Sequence, residues 1–177
     1  MMRWLGWIAL VLAIATVTHL ASVHHLPHVV MNRAMARMGD VNTIHHGARA
    51  SAEKQGVVRP SPDLLYSVCP FDLSKGALHV TAPVPPGTYW SVSMFDSETN
   101  NFFVLNDRQA KGSVDLLVVP KDWEKPMPGT VVHAPSTRGL VLFRTLVNDE
   151  KNLAAIDAAR KQAKCGTLAH LPLAGRP

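Results

Sequence analysis

Asp63 and Tyr66 lead into a candidate strand and could reach one face together, a carboxylate and a phenol at a pocket mouth. That pair suits general acid–base work. The plainer reading is a turn-forming Asp after Pro62 and an interfacial Tyr. Arg59 is placed to pair with Asp63 or Asp96, as a structural ion pair rather than an anion site. Asp96, Glu98 and Asp107 cluster with Asn100, Asn101 and Asn106 around a turn. Their spacing matches no calcium loop, and a solvated turn is the simpler account. Tyr89 shares one strand face with Ser91, Ser93 and Phe95, and Arg144 stands in the longest strand candidate. The candidate pocket therefore comprises Arg59, Asp63, Tyr66, Tyr89, Asp96, Asn100 and Arg144.

His24 and His28 stand four apart, so a helix would put both on one face, as metal ligation requires. His25, His45 and His46 lie nearby in sequence. No carboxylate or thiolate accompanies them in their own segment, so interfacial histidines are expected and no metal is assigned. No nucleophile elbow, zinc-protease helix, phosphate loop or dinucleotide fingerprint occurs, and no cofactor is expected.

The elements that must position these residues follow from composition and pattern. The chain has 177 residues, 47% of them apolar and 18% charged, which excludes a disordered polyelectrolyte and allows one domain plus a tail. Net charge is +5, but residues 1–62 hold six Lys/Arg against two Asp/Glu, while residues 63–177 hold twelve against eleven. The folded part is nearly neutral, which argues against nucleic acid and for a basic segment beside anionic lipid. Residues 4–21 carry no charge and as a helix would be about 27 Å long, enough to cross a bilayer core. Trp4 and Trp7 suit an aromatic belt, and Arg3 holds the N-terminus on the cytoplasmic side. The competing reading is a cleaved signal peptide. The small-x-small triplet Ala13-Ile14-Ala15 lies inside the apolar run, which favours an uncleaved anchor.

Residues 22–38 read as a second helix or a continuation of the first, with Pro27 as a kink or a new start. Val30, Met31, Ala34, Met35 and Met38 form an apolar stripe, packed on the domain or lying on the membrane surface. Residues 39–59 read as a polar tether that wraps onto the domain. Strands are predicted at 64–69, 78–82, 89–95, 101–105, 114–119, 130–133 and 139–147, with Trp90, Val92 and Met94 on a buried face. A closing helix is capped by Asn148 or Asp149. Its inner face holds Leu153, Ile156 and Ala163, its last turn carries Arg160, Lys161 and Lys164, and it stops at Gly166. The pattern predicts a mainly β domain, an antiparallel sandwich of jelly-roll type, between an N-terminal transmembrane helix and a C-terminal helix. The boundaries drawn are 1–21 for the anchor, 22–56 for juxtamembrane helix and tether, 57–168 for the β domain and 169–177 for a loose tail. Cys69 and Cys165 are the only cysteines. Both fall in the part placed outside the cytoplasm, where oxidation is favoured, so a bridge is preferred over a core thiol and an exposed thiol.

The segment Val58-Arg59-Pro60-Ser61-Pro62-Asp63-Leu64-Leu65-Tyr66-Ser67 resembles the signature Val-x-Pro-Asn-x-Asp-Thr-x-Tyr-Ser of the bacterial family of unknown function DUF1254. The likeness continues through Asp72-Leu73-Ser74-Lys75-Gly76, Gly87-Thr88-Tyr89-Trp90-Ser91 and Asp96-Ser97-Glu98-Thr99-Asn100. It resumes at Arg144-Thr145-Leu146-Val147 and Asn152-Leu153-Ala154, covering residues 57–168. Ser61 and Leu64 replace the usual Asn and Thr. The resemblance implies an exported protein of jelly-roll-like β domains, in which this domain is often accompanied by a sister domain of unknown function numbered twelve fourteen. Only the first domain is recognised here.

Two functions are expected from these readings. The preferred one is a non-catalytic, single-pass protein of the inner membrane whose periplasmic β domain binds a partner protein or small ligand. The partners would be membrane lipid and a sister-domain protein. The alternative is an envelope hydrolase with a polar pocket around Asp63, Tyr66 and Asp96.

Overall fold

A computed structural model describes residues 2–51, 60–110 and 112–168. It opens with one helix, α1 (Met2–Met38), of 37 residues, about 55 Å long. Pro27 lies inside α1 without ending it, although its ring removes one N–H from the helical ladder. The helix is long and apolar enough to cross a membrane, and none of its apolar window is buried. Its last turns behave differently. Met31 and Met35 are each only 3% exposed. They stand four apart on one stripe, and that stripe meets the sheet. Val30, on a neighbouring stripe, stays exposed. Gly39 stops the helix in the left-handed region at φ +83°.

Among the described residues nine strands follow, in two sheets. β1 (His45–His46), β2 (Leu64–Asp72), β8 (Arg138–Leu146), β4 (Trp90–Phe95) and β5 (Asn101–Asn106) form the first, in that order and antiparallel throughout. β7 (Thr130–Ala134), β6 (Ser113–Pro120), β3 (Ala77–Pro83) and β9 (Lys164–Leu168) form the second, mixed because β6 and β7 run parallel. Period-two alternation places Cys69, Phe71, Trp90, Val92, Met94, Val141 and Phe143 of the first sheet in one buried cluster. Leu78, Val80, Leu116, Val118 and Val132 of the second sheet join it. The seven strands predicted from the sequence are all present within a few residues of their expected ends.

Gly139 lets the two sides approach. A Cβ there would lie 2.1 Å from the Phe95 carbonyl oxygen and 2.6 Å from Phe71 Cζ. The segment after α1 is held by Asn42, whose side chain donates to the Asp72 carbonyl (3.0 Å) and Thr167 Oγ1 (2.7 Å) and accepts from the Asp72 N–H (2.8 Å).

The closing helix is shorter than the sequence predicts. Asp149 caps a 3-10 turn (Glu150–Asn152) that leads into α2 (Leu153–Arg160), and the chain then extends. Lys164, Cys165 and Gly166, read as a basic last turn and a stop, pair with Thr81, Val80 and His79 of β3. Pairing with the free edge of β3 outweighs local helix signals there. Cys165 is joined to Cys69, with Cα atoms 6.4 Å apart. The bridge therefore ties β2 of one sheet to β9 of the other, rather than a helix to a sheet.

Candidate functional site

The residues proposed for one pocket separate along the first sheet. Tyr66, Arg144 and Ser91 are register partners across β2, β8 and β4, and Asn106 of β5 ends that row. Tyr66 Oη accepts from the Ser61 N–H at 3.0 Å. Arg144 Nη2 donates to Ser93 Oγ at 3.1 Å, while Arg144 Nε and Ser91 Oγ are buried without partners. Tyr89, 41% exposed, precedes β4 on the same side, and its carbonyl accepts from the Leu146 N–H. Asp63 is exposed in the turn before β2, where its carbonyl accepts from the Val147 N–H at 2.8 Å.

Asp96 and Asn100 lie at the opposite end. Phe95 pairs with Leu140, four residues along β8 from Arg144, or about 13 Å. Asp96 has a structural task. Its Oδ1 accepts from the Glu98 and Asn100 N–H groups at 2.9 and 2.8 Å, and its Oδ2 accepts from Asn100 Nδ2 at 3.1 Å. This closes the β4–β5 turn, where Thr99 adopts φ +68°. Arg59 lies outside the described residues.

A cleft of about 520 Å³ opens between the proline turn 83–88 and the start of β6. Of the candidate residues only Tyr89 lines it. Three of its polar side chains serve the backbone: Thr88 Oγ1 donates to the Leu146 carbonyl (2.6 Å), and Asn148 Nδ2 to the Gly87 carbonyl (2.9 Å). Asp107 Oδ1 accepts from the Trp90 N–H (3.4 Å).

A second polar group escaped sequence reasoning. Arg160, 7% exposed, donates through Nη1 to the carbonyls of Gly47 (2.9 Å) and Tyr66 (2.7 Å), and its Nε and Nη2 grip Asp157. Lys161 Nζ lies 2.7 Å from the other Asp157 oxygen. The Lys161 bond, aided by Arg160 and opposed by burial, holds the Asp157 carboxyl below its ordinary range. Beside it, His46 Nδ1 lies 2.8 Å from Ser67 Oγ. Burial first, then the Arg160 charge, lowers the His46 pKa. A neutral imidazole against a hydroxyl is the geometry of an activated nucleophile. Ser67, however, is 0% exposed on the core face of β2, where no substrate reaches it. Of this group the sequence marked only Arg160 and Lys161, read with Lys164 as helix-end charge, while Asp157, three residues before Arg160, went unread.

Near the start of the domain, His28 Nε2 approaches Glu98 Oε1 at 3.5 Å, and the His24 and His28 rings stand 6.0 Å apart. Among the described residues no three His, Cys, Asp or Glu side chains converge on a single point.

These features define a two-sheet, mostly β domain on a long apolar helix, cross-linked between its sheets, with its signature tyrosine and arginine side by side. The chain belongs to the DUF1254 family, described as a protein of unknown function, whose model matches residues 41–167. The fold resembles the VPA0106 protein from Vibrio parahaemolyticus, with TM-score 0.64 and 16% identity over 84% of this chain and 36% of that one. It also resembles an uncharacterised protein from Burkholderia cenocepacia, with TM-score 0.52 and 17% identity over 81% of this chain and 39% of that one. This chain thus matches less than two-fifths of either protein. No curated protein matches it.

Proposed function

We propose that this is a single-pass protein of the bacterial inner membrane whose β domain, a jelly-roll-type sandwich, faces the periplasm and binds a partner protein or small ligand. The observation that carries the reading is the division of α1. Its apolar N-terminal turns cover nothing in the domain, while Met31 and Met35 are buried against it. A helix that exposes leucine, isoleucine, valine and tryptophan on every side finds its partner in lipid. The bridge between Cys69 and Cys165 fits an oxidising compartment. Alkaline phosphatase fused after residue 177 will be active if the topology is right, and inactive if the domain stays in the cytoplasm. Release from membranes without detergent would refute the anchor.

A sister-domain protein is the proposed partner, because the structural neighbours are more than twice as long as the part this chain matches. For a small ligand, the Tyr66–Arg144–Ser91 row is the favoured place, since two of its polar atoms lack partners. The hydrolase reading gains nothing from Asp96, both of whose oxygens are committed to its own turn.

A further inference from the structure

The histidines of α1 lack a carboxylate in their own segment, but the fold brings one to His28 from the β4–β5 turn. We propose that His24, His28 and Glu98 form a binding site for a divalent transition-metal ion of the zinc class, which clasps α1 to that turn. His24 and His28 are one helical turn apart, the spacing by which a helix offers two imidazoles to one ion. Their ring centres are 6.0 Å apart, against about 5 Å for two imidazoles sharing a tetrahedral ion. His28 Nε2 and Glu98 Oε1 are 3.5 Å apart, against about 3.3 Å between neighbouring ligand atoms around zinc.

Both sides of the site are positioned beforehand. Asp96 Oδ1 holds the Glu98 N–H, fixing the turn that presents the carboxylate. Met31 and Met35 continue the His24–His28 stripe into the domain, so the helix cannot roll His28 away from Glu98. The three donors do not yet meet at one point. His24 is exposed, so its side chain is free to turn toward the His28–Glu98 pair when an ion binds. The His25 ring stands 5.0 Å from that of His24. The site stands independently of the proposed topology, because all its groups lie within the described chain.

The test uses the full chain in detergent micelles, carrying an affinity tag without histidine. Cobalt(II) is titrated and followed by its visible d–d absorption, and zinc is then added in competition. One ion should bind per chain. Glu98→Gln and His24→Asn should each weaken binding by about tenfold or more, since even indirect partners of a ligand cost that much. His79→Asn, which removes a separate histidine paired with Asp115 at 2.7 Å, should leave binding unchanged. Zinc should also slow amide hydrogen exchange at Glu98 and Asn100 in the parent and not in Glu98→Gln. Absence of saturable binding up to about a millimolar would overturn the proposal. So would undiminished binding by Glu98→Gln, which would leave the ion on the helix alone, or its loss in His79→Asn.

Discussion

Removing the link between Cys69 and Cys165 should cost this domain a large part of its stability. The two residues are 96 positions apart, so the bridge closes a ring around most of the β domain. In the chain-entropy treatment, a ring of that size removes about 16 cal/mol/K from the unfolded ensemble, or about 4.7 kcal/mol at room temperature. Whole-domain stabilities run about 5–15 kcal/mol, so the reduced domain should stand close to its folding threshold. Cys69 is fully buried, and replacing it with Ala adds a small packing loss of about 1 kcal/mol. Cys165 is only half-buried. The Cys165→Ser single variant therefore breaks the ring while leaving the core packing of Cys69 intact. Urea unfolding of the full chain in micelles, followed by near-ultraviolet circular dichroism, should show the midpoint falling sharply in Cys165→Ser. In Cys69→Ala with Cys165→Ala it should fall slightly further. The denaturant slope should rise as the unfolded chain expands. A loss below about 1 kcal/mol, in protein shown to carry no disulfide, would refute the ring-closure argument.

Gly139→Ala should destabilise the domain by about 3 kcal/mol or more, because the new methyl meets the Phe95 backbone and the Phe71 ring with no room to shift; thermal unfolding measures it. Arg160→Leu should cost about 3 kcal/mol and free β1 from β2, seen as faster hydrogen exchange at His46 and Gly47, since the guanidinium bonds the Gly47 and Tyr66 carbonyls. The His46 pKa is depressed in the folded state, chiefly by burial, so its contribution is whole above the unfolded value near 6.5 and is lost as pH falls from there toward the folded value. Stability should therefore fall as the pH drops below about 7, and His46→Asn should flatten that slope in a pH series of urea melts.

The strands were legible because burial on one face imprints period two on the residues. Trp90, Val92 and Met94 show it most clearly, and all three enter the core. β9 was hidden because Lys164, Cys165 and Gly166 carry the signals of a helix end, and only the open edge of β3 recruits them into a strand. β1 is two histidines long and has no alternation to read. The candidate site was partly legible. The motif residues Tyr66 and Arg144 are cross-strand neighbours, because antiparallel register between β2 and β8 places them opposite each other. Asp96 could not be told from a pocket acid, because an Asx turn and an acidic site use the same residue types. The Arg160 network depends on the carbonyls of Gly47 and Tyr66, and backbone acceptors leave no mark in a sequence.

The passage of α1 through Pro27 to its docked methionines, without a break, has a geometric consequence. No swivel separates the exposed apolar turns from the β domain, so the domain's heading around the helix axis is indexed by residue count. One residue inserted between Ala21 and Met31 would turn the domain by about 100° and lift it by about 1.5 Å relative to those turns. Four inserted residues would bring the heading back to within about 40° while raising the domain by about 6 Å. A partner that engages the domain from one side would then lose contact with the first insertion and regain it with the fourth, if its reach spans the extra height.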